Sequence, residues 1–177
     1  MLKQILFIIA ITCLSCQSRQ DATIFDNLKG QSDVIISLND YNLDSIPPAI
    51  KVLSGAKKLY VSKDTSKGWT LYPPLSALGD ATQPRHLPVE IGELSNLQSL
   101  TLVNLGLVTL PSELKKLRSL DTLMLFANQL TISNEIDKLK ELTNLKYLGL
   151  LGNMVTKDDL VRLKASLPNT TVNPGLR

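Results

Sequence analysis

Few side chains in this sequence could do chemistry, and their placement argues against most of it. The sole histidine is His86, beside Pro84 and Arg85, and both cysteines, Cys13 and Cys16, fall in the first 16 residues. Nucleophilic catalysis of the Ser–His–Asp kind needs a positioned base; His86 reads instead as a solvated residue of a loop. The body beyond Cys16 contains no thiol, so it holds no internal disulfide, no Cys/His zinc site and no thiol nucleophile. Asp158 and Asp159 are adjacent carboxylates, but they head a helical segment, where acids meet the dipole favourably. The expected role is a cap. Gly149 and Gly152 are separate strand and turn positions, so no glycine-rich phosphate loop is present. No catalytic residue, metal site, cofactor or small-molecule substrate is expected.

Charge narrows the partners further. The formal charge is +3, and setting aside Lys3 leaves 18 basic against 16 acidic residues. The densest basic pairs are Lys57-Lys58 and Lys115-Lys116, short of the clustered positive face that nucleic acid requires. Hydrophobic residues make up 44% of the chain and aromatics 5%, so the core is one of Leu, Ile and Val.

The thiol of Cys16 is the exception to this chemical silence. Lys3 followed by the apolar run Ile5 to Ile11 has the layout of an export signal over residues 1–15. The stretch from Ile5 to Cys16 is 12 residues, whereas a helix needs about 20 to span a bilayer. Leu14-Ser15-Cys16 resembles a bacterial lipobox, with Cys13 where an aliphatic residue is usual. The resemblance implies that Cys16 is acylated, becomes the new N-terminus and fixes the protein to a membrane surface of the bacterial cell envelope. Several acyl chains make such anchoring stable where one would not. The other reading is an ordinary signal peptide, with Cys16 discarded or left free. Residues 16–22 are polar and read as a tether.

The elements that must position any site come from internal repetition. Leu97, Leu100, Leu102 and Leu107 recur as Leu120, Leu123, Leu125 and Leu130, then as Leu145, Leu148, Leu150 and Val155, at offsets of 23 and 25 residues. Such a period marks stacked units that bury their apolar edges against one another. The pattern L-x-x-L-x-L-x-x-N-x-L resembles the leucine-rich repeat family, over about residues 33–172. The resemblance implies an α/β, right-handed solenoid of about five units. A short parallel sheet lines its concave face, and helical or 3₁₀ turns lie on its convex face. It also implies that Asn128 and Asn153, in the motif's Asn slot, turn their amides inward to adjacent coils. Asn104 stands one place early with Leu105 in the slot, so an interruption is expected there. In the first unit Ile36, Leu38 and Leu43 fill motif positions, with Tyr41 in the Asn slot.

Around these units the chain supplies covers and turns. Residues 23–32 read as an N-terminal cap, Thr23-Ile24-Phe25-Asp26 starting a helix that Gly30 stops. The steps Ile46-Pro47, Leu87-Pro88 and Leu110-Pro111 end each strand, because proline lacks the N–H a sheet needs. Between strands the apolar residues return every third place, as in Ile91, Leu94 and Leu97, which suits 3₁₀ turns. From Ala56 to Asn96 is 41 residues, about 18 more than in the neighbouring units. The surplus, about 64–84, contains Trp69 and is either a binding loop or a flap packed as a plug. Leu160, Leu163 and Leu167 close the end, Val172 adds one edge contact, and 173–177 form a tail.

Side chains alternate along a strand, so the residues between the motif leucines face outward. Val103, Phe126 and Leu151 then form one row beside Met124 and Tyr147. Exposed apolar patches of that kind mark interaction sites. The expected function is protein binding by the C-terminal half of the concave face, with Trp69 as a further candidate contact. The alternatives for the patch are a cover by the C-terminal tail or by a second copy. The alternative function is a structural or adhesion component of the envelope that contacts wall polymer or surface glycan.

Overall fold

The computed structural model describes residues 24–63 and 85–175. Cys16, the leader and the tether, Trp69 with the rest of 64–84, and residues 176–177 lie outside the described residues. In chain order the strands are β1 (Asp33–Ser37), β2 (Lys58–Ser62), β3 (Arg85–His86), β4 (Ser99–Val103), β5 (Leu107–Thr109), β6 (Thr122–Met124), β7 (Tyr147–Gly149) and β8 (Thr171–Asn173). Six of them make one parallel sheet in the order β1-β2-β4-β6-β7-β8, while β3 pairs with β5 beyond the strand ends.

A parallel pair requires a return crossover, and the fifth return of the main sheet carries the helix Lys157–Ser166, while the first four each carry a short turn. These are 3₁₀ turns at Pro48–Leu53, Val89–Glu93 and Ser112–Lys116, then the single helical turn α1 (Ile136–Leu139). Pro47, Pro88 and Pro111 stand at the three N-caps with ψ of 159°, 146° and 148°. Proline thus ends the extended stretch and begins the turn without leaving an N–H unpaired. The every-third-residue leucines of these turns join the inward strand residues in one continuous buried core. Val34, Leu59, Leu100, Leu123, Leu148 and Val172 lie level across the sheet. Neither the strands nor the turns of one coil could bury both faces alone, so stacking creates the core. The architecture is a leucine-rich repeat solenoid.

Four expectations need correction. In the first coil the ladder pairs Ile36 with Val61 and, through it, Leu102, so the motif starts two residues earlier than its leucines suggested. A slip of two leaves every side chain on the same face, which is why alternation could not detect it. Tyr41 is therefore past the Asn slot, which Asn39 occupies; its ring instead meets that of Phe25, centroids 6.3 Å apart. Second, the N-terminal cap is a 3₁₀ turn at Asp26–Leu28 without a side-chain cap bond; completely buried Phe25 seals the end. Third, the main sheet has six strands, because β8 pairs residue for residue with β7. The tail expected from residue 173 thus begins inside a strand. Fourth, His86 lies in the two-residue strand β3 and not a loop, paired with Thr109 of β5 across a register shift; its side chain is exposed.

The C-terminal helix α2 (Lys157–Ser166) opens with a capping box. Asp159 Oδ2 accepts from Thr156 N at 2.9 Å and from Thr156 Oγ1 at 2.8 Å, while Thr156 Oγ1 accepts from Asp159 N. Asp159 is buried in this role and Asp158 is exposed. No helix among the described residues is long and apolar enough to cross a membrane.

Candidate functional site

The open face of the main sheet is built from the outward rows of six strands. Its middle row, in ladder register, is Ile35, Tyr60, Thr101, Met124, Gly149 and Asn173. None carries a charge. The neighbouring row begins Asp33, Lys58 and continues Ser99, Thr122, Tyr147, Thr171, so charge is confined to its N-terminal end. There Lys58 Nζ and Asp33 Oδ1 pair at 3.4 Å, an exposed contact worth little.

The third row corrects the picture of five open apolar side chains. Backbone bonds from Lys63 N to Val103 O, Asn104 N to Phe126 O and Ala127 N to Leu151 O carry the ladder past the formal strand ends. Val103, at 4% exposure, is buried, as are Ser37 and Ser62 level with it. Alternation gives the direction of a side chain and not what covers it: the same left-handed turn follows Val103, Phe126 and Leu151, yet the last two stay half-buried. Met124, Phe126, Tyr147 and Leu151 are half-buried. Phe126 lies across Gly149: a Cβ there would come within 2.5 Å of its Cε1 and 3.4 Å of Tyr147 Cε1. Gly149 is the hole in the middle row that lets the ring lie down. Leu151 in turn is covered by Gly175, where a Cβ would collide with Leu151 Cδ1. The C-terminal stretch thus caps one end of the row, while Ile35, at 43% exposure, is the most open large apolar side chain of the sheet face. Tyr147 is held by Asn173, whose Nδ2 donates to the Tyr147 hydroxyl at 2.9 Å.

Beneath this face, side-chain amides hold the coils. Asn128 is buried; its Oδ1 accepts from Leu105 N at 3.1 Å and Leu107 N at 3.3 Å, and its Nδ2 donates to Leu102 O and Phe126 O at 3.1 and 3.0 Å. Asn153 Oδ1 accepts from Leu130 N at 3.2 Å, and its Nδ2 donates to Leu125 O and Leu150 O. In the coil between β4 and β5 the Asn slot holds Leu105, whose side chain joins the core. Asn104, one place earlier, is buried. It occupies the left-handed turn position taken by Ala127 (φ 53°) and Gly152 (φ 78°) in the next two coils, and asparagine tolerates that conformation better than most residues.

Sequence reading missed Glu135, which is 1% exposed. Its Oε1 accepts from Thr109 Oγ1 at 2.8 Å, and its Oε2 accepts from Leu110 N and Lys138 Nζ, both at 3.0 Å. Lys138 Nζ also donates to Thr109 Oγ1 at 2.7 Å. The only signal in the sequence was an acid beside the apolar pair Ile132 and Ile136, which reads equally well as a surface residue. Elsewhere the Lys140 ammonium bonds Asp137 at 2.6 Å. That hydrogen bond and the accompanying charge attraction lower the Asp137 pKa and raise that of Lys140. The pair belongs to the α1 side of the molecule, away from the open sheet. Among the described residues no cluster of three or more His, Cys, Asp or Glu is arranged to hold a metal ion.

No family model matches the chain. A mouse leucine-rich repeat serine/threonine-protein kinase 1 is 29% identical over 92 residues, which are 52% of this chain and 4% of that protein. The chain therefore spans a small fraction of the length of this relative. Among solved structures, a leucine-rich repeat protein of Leptospira interrogans is 24% identical, with a TM-score of 0.48, covering 74% of this chain and 34% of that one. The leucine-rich repeat ectodomain of an Arabidopsis thaliana membrane receptor kinase, solved in complex with Casparian strip integrity factor 2, is 16% identical. Its TM-score is 0.24, with 73% of this chain and 22% of that one covered.

Proposed function

We propose, from the leucine-rich repeat solenoid as premise, that this chain is an exported, lipid-anchored protein-binding module of a bacterial cell envelope, without a reaction of its own. The observation that carries the reading is the uncharged middle row from Ile35 to Asn173, flanked by the half-buried Phe126 and Tyr147. An uncharged row loses less on desolvation than a charged one, which would have to find partners for each ion. Its aromatic and methionine side chains are the types that dominate protein contacts. A sugar would call for an aromatic with a free amide beside it; Tyr147 and Asn173 already satisfy each other.

The test is crosslinked capture from native membranes. Met124→Lys puts an ammonium in the middle of the contact and is expected to weaken capture by about thirtyfold, roughly 2 kcal/mol. Phe126→Ala removes the ring over Gly149; it should weaken capture and also lower stability by about 1 kcal/mol, since a half-buried ring contributes to both. Undiminished capture by both variants would move the site off the sheet, with Trp69 next in line.

The anchor is tested separately at Cys16. Cys16→Ala should shift the protein from the membrane fraction to the soluble fraction while its unfolding curve stays unchanged. Mass spectrometry of the native N-terminus decides the chemistry, and an unmodified terminus downstream of Cys16 would overturn the anchor.

A further inference from the structure

The two ends of the solenoid are finished differently. At the C-terminal end the helix α2 closes the core, with Leu163 and Leu167 buried. At the N-terminal end the cap is a turn of three residues without a side-chain cap bond, and Ile24, Leu28, Tyr41 and Leu43 stay half-buried against the core. The terminal units of a solenoid ordinarily turn a polar face outward. The strand at this end, β1, is the first of the sheet and pairs, among the described residues, with β2 alone. Its outer edge has a definite hydrogen-bonding pattern. Leu38 N donates to Ser62 O, and Lys58 N donates to Ser32 O, so the even-numbered residues at β1 serve β2. Alternate residues of a strand serve opposite edges, and the N–H and C=O of Asp33 and Ile35 therefore point away from the sheet. Ile35 is also the most open large apolar side chain of the sheet face.

We propose that this edge joins a second copy of the chain, β1 against β1 in antiparallel register about a two-fold axis at Ile35. Each Ile35 N–H then donates to the Ile35 C=O of the other copy, and the two isoleucine side chains lie side by side on the sheet face. The edge is self-complementary in charge as well. Like charges directly opposite would destabilise the pair, but the two Asp33 carboxylates fall on opposite sides of the axis, about 14 Å apart at 3.4 Å per residue. Each keeps its own Lys58 at 3.4 Å. Pairing β1 with β8 instead would run head to tail and grow a filament, and β8 is the poorer match. Thr171 N donates to Lys146 O and Leu150 N donates to Asn173 O, which leaves Val172 facing outward before Pro174, a residue with no N–H to give. Two like ends therefore meet and close, covering an edge that would otherwise invite aggregation. The seam leaves Met124, Phe126 and Tyr147 of both copies open to a partner.

The core runs from Phe25 to Leu167, so the chain expressed from Gln17 keeps the fold and omits the apolar leader with Cys13 and Cys16. Sedimentation equilibrium of that chain, from about 1 to about 300 µM, should show monomer and dimer with a Kd on the order of 10 µM, in the weak class of small interfaces. Ile35→Lys sets two ammonium groups side by side at the axis and should weaken association at least about thirtyfold. Its unfolding midpoint should stay unchanged, because the side chain lies outside the core. Ile35→Leu keeps the apolar contact and should dimerise within about threefold of wild type. On this thiol-free background a short bismaleimide should join Ile35→Cys across copies, and should not join Val161→Cys, which is 68% exposed on α2. Dimers undiminished by Ile35→Lys, or species that grow beyond two copies, overturn the two-fold seam. So does a chain that stays monomeric at about 300 µM; if removal of residues 17–23 then makes it dimeric, that segment and not a second copy holds the edge.

Discussion

Asn128→Ala is expected to lower the free energy of unfolding by about 3 kcal/mol, with a fall in Tm of roughly 6–12 °C. The amide serves four backbone groups of two coils: Leu105 N, Leu107 N, Leu102 O and Phe126 O. Truncation takes the amide from Leu105 N, Leu107 N and Leu102 O, while Phe126 O keeps its bond from Asn104 N; each buried group left unpaired costs about 1–3 kcal/mol before the structure relaxes. Asn128→Asp should fare no better, because a carboxylate accepts but does not donate and would face the two carbonyls. Denaturant unfolding gives the loss, and amide exchange at Leu105 and Leu107 locates it. Exchange at those two amides unchanged from wild type would mean that Asn128 does not protect them.

Glu135→Leu should cost a comparable amount, about 3 kcal/mol, by a different route. It leaves Leu110 N and Thr109 Oγ1 without their acceptor and Lys138, at 31% side-chain exposure, without its anion. Breaking a buried pair at one partner is worse than replacing both. Adding Lys138→Met to Glu135→Leu should therefore recover part of the loss, and Glu135→Gln, which keeps length and one acceptor, should lose only about 1 kcal/mol. A double-mutant cycle reads the coupling directly. Additive single and double variants would show that Lys138 and Glu135 do not act as a pair.

These two residues lie on opposite sides of what could be read from residue types alone. Asn128 was legible because its role is local to a repeated motif: a leucine pattern sets the strand, and the third residue after its last inward leucine must feed the neighbouring coil. The proline steps and every-third leucines likewise announce themselves within one unit of chain. Glu135 was not legible, because its partners Thr109 and Leu110 are 26 and 25 residues away. Only stacking brings α1 over the preceding coil, and a lone acid at a helix start looks the same whether solvated or enclosed.

The open face divides in the same way. Alternation put Met124 and Tyr147 on the outward face, because a period of two is a property of the extended chain. It did not show that Val103 would be covered, at 4% exposure. Nor could it foresee that Phe126 would lie down over Gly149 or that Gly175 would cover Leu151. Both events are contacts between successive coils, and they depend on where a missing side chain leaves space. By itself the sequence determined the repeat, its spacing, its turns and the inward set of each strand, since these follow from local periodicity and backbone chemistry. The tertiary structure alone decided the register of the first coil, the addition of β8, the buried Glu135 network and how much of each outward side chain stays open. Those outcomes rest on the relative placement of whole coils, and no single repeat contains that information.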